Sequence, residues 1–179
     1  PKLVEWFYDS NEIAGSDNPV GRLTNVVQSP EDITSKFAYD AIGRSSKTER
    51  TLLSVPRTMS QSYGALNQII SETFPDGETV TYNYNGADWL QSVTSSTSPN
   101  YINDIQYNAR GQKTKLTYGN SLVTDWSYNA NNFRPLTRVT SSGHQSLGYD
   151  YDAVGNILTI ADNLPGGTAD LRYRGLQIV

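Results

Sequence analysis

The six residues Tyr39-Asp40-Ala41-Ile42-Gly43-Arg44 return almost unchanged, 112 positions later, as Tyr151-Asp152-Ala153-Val154-Gly155-Asn156. Weaker copies open at Tyr8, Tyr63, Tyr84, Tyr107 and Tyr128, and a degraded eighth opens at Tyr173. The intervals between these tyrosines are 31, 24, 21, 23, 21, 23 and 22 residues. In the first copy the glycine is Gly21, 13 residues after Tyr8 instead of 4; removing the 9 extra residues turns 31 into 22. A period of 21 to 24 over the whole chain predicts one repeat array across residues 1–179.

The substitutions within the motif say what it is. Its second position holds Asp9, Asp40, Gly64, Asn85, Asn108, Asn129 and Asp152. Asp and Asn side chains close a turn by accepting from the backbone two residues on. The fifth position holds Gly21, Gly43, Asn67, Asp88, Gly111, Asn132 and Gly155, the residue types that tolerate positive φ. The motif is therefore predicted to be a turn that ends on a left-handed residue.

Two residues before each tyrosine stand Trp6, Phe37, Gln61, Tyr82, Ile105, Trp126, Tyr149 and Leu171, which is strand spacing. After the turn come apolar pairs spaced by three, Leu23/Val26, Leu90/Val93 and Ile157/Ile160. A β-bulge just after the turn would reconcile that spacing with a strand. The outgoing apolar position is lost at Ser45, Lys113 and Arg134, where poorer packing is expected. A second turn precedes each incoming strand, at Pro30-Glu31-Asp32, Ser54-Val55-Pro56, Pro75-Asp76-Gly77, Ser98-Pro99-Asn100, Gly119-Asn120-Ser121, Ser142-Gly143-His144 and Leu164-Pro165-Gly166. Ser29-Pro30 also has the form of a helix start, but in register it falls on that second turn. Each repeat is thus two strands and two turns. The fold class is all-β, an antiparallel hairpin ribbon of about fourteen strands. Right-handed twist would coil so long a meander into part of a hollow shell or spiral. The motif rings would then form ladders, one rung per repeat.

The segments "FAYDAIGR" (37–44), "FPDGETVTYNYN" (74–85), "YGNSLVTDWSYN" (118–129) and "YDYDAVGNI" (149–157) resemble the YD repeats of the RHS family. That family includes bacterial polymorphic toxins, the B and C components of Tc toxins, wall-associated proteins and teneurins. The resemblance implies a β-ribbon spiralling into a shell, which in the toxins encloses a C-terminal effector. It further implies an extracellular or surface-delivered protein, with the rest of the parent chain as partner. The Asp-Pro-x-Gly segment that follows the repeats in several bacterial members, in some with self-cleaving aspartates, is not found here, so self-cleavage is not carried over. The chain opens on Pro1. A slice of a repeat region is expected, and its open sheet edges would favour edge-to-edge pairing.

The residues offer little chemistry. With no cysteine there is no disulfide and no thiolate metal site. His144 is the only histidine and sits in a Ser-Gly-His-Gln turn without any nucleophile signature around it. Asp150 and Asp152 flank Tyr151 as a possible carboxylate pair, but the repeat already explains Asp152. Asp9-Ser10-Asn11-Glu12 starts like a calcium loop and fails at Ala14, where glycine is required, so a longer surface loop is expected. Arg22 and Arg44 follow the motif glycine and would pair with a neighbouring aspartate or face water. The net charge of −4 argues against nucleic acid, and no apolar run is long enough to span a membrane. No enzyme activity and no cofactor are expected. Two readings remain open: a structural shell segment, or an adhesive module whose aromatic ladders bind carbohydrate or a cell surface.

Overall fold

The computed structural model describes residues 3–30, 32–97, 99–164 and 170–172. Its strands are β1 (Leu3–Tyr8), β2 (Leu23–Ser29), β3 (Ile33–Tyr39), β4 (Ser45–Leu52), β5 (Val55–Tyr63), β6 (Ile69–Thr73), β7 (Thr79–Tyr84) and β8 (Leu90–Ser95). They continue as β9 (Ile102–Tyr107), β10 (Lys113–Tyr118), β11 (Val123–Tyr128), β12 (Pro135–Thr140), β13 (Gln145–Tyr151), β14 (Ile157–Asp162) and β15 (Asp170–Arg172). Each strand is hydrogen-bonded to its neighbour in sequence, in the order β1 to β15. The resolved pairings are antiparallel. The all-β meander expected from the repeat is therefore what forms, with β15 as the strand that leads into Tyr173. Tyr173, Glu31, Ser98 and the turn at 165–166 lie outside the described residues. Among the described residues no helix is long and apolar enough to cross a membrane.

Two compact bodies are present. One comprises Pro1–Tyr82 with Ser95–Ser98, and the other Asn83–Thr94 with Pro99–Val179. In the first, Ala38 and Val80 are buried in the strands; in the second, Val93, Ile105 and Leu116 are. Ile105 and Leu116 are direct cross-strand partners on β9 and β10, and Ile102 faces Val93 across β8 and β9. Cross-strand contact of this kind is the unit of sheet stabilisation. No second layer covers either body among the described residues. That is why a chain with 36% apolar residues buries so few completely and leaves Trp6, Phe7 and Tyr8 exposed.

The bulge expected from the spacing of three is present. Phe7 pairs with Asn25 and Tyr8 with Leu23, so Thr24 is the extra residue. The same one-residue shift occurs at Tyr39, Tyr63, Tyr107, Tyr128 and Tyr151. With that residue removed from the count, Leu23 and Val26 share a face. The Ser29-Pro30 segment is a hairpin turn, since Gln28 pairs with Ile33 across it.

The nine-residue insert is more than a surface loop. Ile13 within it is buried, the Asp17 amide donates to the Tyr39 carbonyl at 2.9 Å, and the Tyr39 amide donates to Ser16 Oγ at 3.2 Å. The insert therefore adds a rung beside the end of β3.

Ile105 is 3% exposed and Ile42 is 66% exposed. We expect Ile105→Ala to lower the unfolding free energy in urea by about 2–5 kcal/mol. Ile42→Ala should change it by less than about 0.5 kcal/mol. Equal effects of the two would contradict the core placed here.

Candidate functional site

Every described motif turn except the one at Gly64 is built around a side-chain oxygen at its second position. Asp40 Oδ1 accepts from the amides of Ile42 (3.1 Å) and Arg44 (2.8 Å), and the Gly43 amide donates to the Asp40 carbonyl at 2.8 Å. Asn85 accepts from Ala87 and Trp89, Asn108 from Arg110 and Gln112, and Asp152 from Val154, Gly155 and Asn156. Asp9 Oδ1 takes the Gly21 amide across the insert. Where Gly64 has no side chain, the backbone bonds alone close the loop, Gly64 N to Gln68 O at 2.8 Å and Asn67 N to Gly64 O at 3.2 Å.

These bonds leave the fifth residue left-handed. Gly21, Gly43, Asn67, Asp88, Gly111 and Gly155 have φ between 59° and 106°. Asn132 does not; Phe133 takes the role at 60°. The sixth turn is one residue longer, closing from Asn129 N to Arg134 O where its counterpart closes from Asp40 N to Arg44 O. Arg134 is consequently the residue after the turn rather than the first of the outgoing strand, and Pro135 pairs with Tyr128.

At Arg22, Arg44, Trp89, Gln112 and Arg134 the side chain after the left-handed residue reaches across the following turn, whereas Gln68 lies over Gly64 of its own turn and Asn156 donates to its own Asp152 at 2.8 Å. Arg22 donates Nε to the Gly43 carbonyl at 3.1 Å, and its guanidinium lies 5.5 Å from the Tyr39 ring centre. Arg44 lies 4.3 Å from the Tyr63 ring and donates Nη1 to Asn67 Oδ1 at 2.7 Å. Trp89 meets the Tyr107 ring at 5.2 Å, and Gln112 donates Nε2 to the Phe133 carbonyl at 2.8 Å. Arg134 lies 5.5 Å from the Tyr151 ring and donates to the Asp152 carbonyl at 3.3 Å. Among the described residues neither Arg22 nor Arg44 meets a neighbouring repeat's aspartate. Arg44 pairs instead with Asp40 of its own turn at 2.7 Å. The junctions at Tyr39, Tyr63, Tyr107 and Tyr151 therefore place a guanidinium, or at Tyr107 an indole, on the next repeat's ring, where the sequence suggests a ladder of motif rings.

The motif tyrosine returns the contact. Tyr39, Tyr63, Tyr107 and Tyr128 donate their hydroxyls to the carbonyls of Leu23, Ser45, Leu90 and Lys113, at 2.7, 2.8, 2.6 and 2.7 Å. Each acceptor is the first residue of the preceding repeat's outgoing strand. At Leu23, Ser45 and Lys113 this is the resolved bulge, where the ladder is locally interrupted and a carbonyl needs another donor. Burial pushes the phenols of Tyr107, Tyr128 and Tyr151 above 10.0. At Asp40, desolvation pushes the carboxyl up, but the Arg44 amide, the Arg44 guanidinium and the Ile42 amide outweigh it and hold it below 3.8. Asp152 is also lowered, first by the Asn156 side chain against desolvation, then by the amides of Asn156, Gly155 and Val154.

The sequence marked Arg22 and Arg44 after the motif glycine but not that the residue at this position can reach the ring or carbonyl of the next repeat. That residue changes between Arg, Gln, Trp and Asn, so identity gave no signal. Its place after each left-handed residue was the available one. A second reason for glycine was missed too. A Cβ on Gly43 would fall 1.9 Å from Arg22 Nη2, one on Gly155 2.3 Å from Arg134 Nη2, and one on Gly111 3.0 Å from Trp89 Cζ2. The remaining candidates stay apart. His144 is exposed on the β12–β13 turn, Asp150 is exposed on β13, and no group of three metal-ligating side chains occurs among the described residues.

The RHS Repeat family matches residues 63–100. Toxin subunit YenC2 of Yersinia entomophaga is 34% identical over 86 residues, which is 43% of this chain and 9% of that protein. Toxin subunit YenC1 of the same organism is 33% identical over 84 residues, 42% of this chain and 8% of that protein. Among solved structures, the Photorhabdus luminescens Tc holotoxin pore aligns with 90% of this chain and 9% of its own, with a TM-score of 0.74 and 19% identity. The TcdB2-TccC3 crystal structure aligns with 91% and 11%, at 0.65 and 18%. The chain therefore has the fold of the regions it matches and spans about a tenth of the length of these relatives.

We expect Tyr107→Phe to lower stability in urea by about 0.5–1.5 kcal/mol with the far-UV spectrum unchanged. Gly43→Ala should lower it by about 1–2 kcal/mol from φ alone, with a further loss as Arg22 is displaced. No change in either variant would contradict the fastening described. The folded phenols keep their protons where unfolded ones have lost them, so stability should fall as pH rises above 10.0. The support from Asp40 and Asp152 is present above 3.8 and is lost as pH falls below it through their lowered values. Asp152→Asn keeps the turn's acceptor and removes the titration, so its melting temperature should fall less steeply in acid; an unchanged acid limb would contradict the assignment.

Proposed function

Because this chain is built of RHS repeats, we propose that it is a wall segment of a larger toxin-type shell. In this reading it encloses and delivers a C-terminal effector. Its work is containment: hydrogen-bonded strands separate the cargo from solvent, and no side chain of the segment carries out chemistry. The remainder of the parent chain is its partner, and the parent acts outside the cell. Residues 1–179 form one continuous array in that parent. The toxin-subunit relatives and the shared fold support the reading.

The observation that carries it is the reciprocal fastening between repeats. Each junction described above uses the motif residues on one another rather than leaving them for a ligand. A guanidinium or an indole already lies on the rings of Tyr39, Tyr63, Tyr107 and Tyr151. That arrangement suits a wall and leaves less ring face for a sugar, so the adhesive alternative gains nothing from it.

Electron cryomicroscopy of the intact parent chain tests the proposal. We expect a closed β-shell with this segment in its wall and density for a separate C-terminal region inside. An extended sheet with the C-terminal region outside would overturn it.

A further inference from the structure

The β4–β5 hairpin departs from the other repeats in the length of its strands and in the residues of its turn. Its strands have 8 and 9 residues where the remaining strands have 7 or fewer. Leu52 pairs directly with Val55, so the turn consists of Leu53 and Ser54 alone. Both are left-handed, at φ 49° and 63°. Such a turn calls for Asn-Gly or a similar pair, and a branched apolar side chain there is strained. The comparable β12–β13 turn puts Gly143 in its second positive-φ position.

The residue accepted at the cost of that strain is apolar and points into solvent. Leu53 is 77% exposed, Val55 53% and Leu52 46%, and Pro56 is exposed beside them. Register places Arg50 opposite Arg57, on the same face as the Leu52–Val55 rung. The two cations therefore stand roughly 7 Å behind the apolar tip. Like charges directly opposite each other are unfavourable in a sheet unless something outside neutralises them. Among the described residues neither guanidinium has a carboxylate partner, and Glu49 lies on the other face beside Thr58. Residues 45–63 carry three positive charges and one negative, a balance of +2 in a chain of −4.

We propose that this tip is a membrane-contact finger, with Leu52, Leu53 and Val55 entering the interface of an anionic bilayer while Arg50 and Arg57 bind its phosphates. The spacing favours a lipid surface. Interfacial elements bury their apolar side about 5–10 Å, which sets the arginine rung at the headgroups. The contact is peripheral and leaves the hairpin's backbone bonds intact, so it requires no membrane-spanning segment.

The test is flotation of the whole chain with phosphatidylcholine vesicles, with and without phosphatidylglycerol. Binding should require the anionic lipid and weaken in high salt. The double variant Leu53→Asn, Ser54→Gly supplies the preferred turn pair, so its melting temperature should rise. Its vesicle affinity should drop by about tenfold or more, the effect of burying one leucine. Arg50→Gln with Arg57→Gln should weaken binding to anionic vesicles while leaving the fold unchanged. Absence of binding to either vesicle, or unchanged affinity in a folded Leu53→Asn, Ser54→Gly variant, would overturn the proposal. So would a concentration-dependent dimer that this variant abolishes without any vesicle binding.

Discussion

A left-handed residue at the end of a four-bond turn is the constraint on which the array depends. The side-chain oxygen of Asp40 or its counterparts gathers the amides of the turn, and the backbone reverses at Gly43 or its counterparts. A long side chain placed after that reversal, as at Arg22, Arg44, Trp89, Gln112 and Arg134, reaches the next repeat and meets a ring or a carbonyl there. The bulge after the turn is the other half of the device, because it interrupts the ladder at a carbonyl and the next tyrosine hydroxyl completes it. Local geometry is thereby converted into contact between repeats, without any need for the contacting residue to be the same each time.

This explains how sheets of one layer hold together while so few side chains are fully buried. Single cation–ring contacts at exposed sites contribute about 0.5–1 kcal/mol, and net hydrogen bonds a similar amount. Neither would hold a hairpin alone. Repeated at successive junctions, they add to backbone pairing in the nearest-neighbour manner of repeat proteins. The sixth turn shows the tolerance of the arrangement. It has an extra residue and a left-handed Phe133, yet Arg134 still reaches Tyr151 and Gln112 still reaches the Phe133 carbonyl.

The parts of this architecture that could be read from the chain were those set by backbone angle. Gly, Asn and Asp at the fifth position marked the reversal, Asp and Asn at the second marked its acceptor, and Leu23/Val26 marked the bulge. What could not be read depended on neighbours distant in sequence. Arg22 gives no local sign that its partner is the Gly43 carbonyl, 21 residues on. Asn132 is as tolerant of positive φ as Asn67, so only the closing bond from Asn129 to Arg134 reveals that Phe133 takes its place. The insert around Ile13 and the Leu53–Ser54 turn were equally hidden. A loop's burial needs the partner in place, and a leucine in a left-handed turn runs against its own propensity.

If the residue after a turn fastens its repeat to the next, Arg44 is energetically coupled to the Tyr63 ring. A double-mutant cycle on Arg44→Ala and Tyr63→Leu, read from urea unfolding, measures that coupling most directly. The expected coupling is about 0.5–2 kcal/mol between two residues 19 positions apart in sequence. Additive effects, with no coupling beyond the error of the measurement, would contradict it.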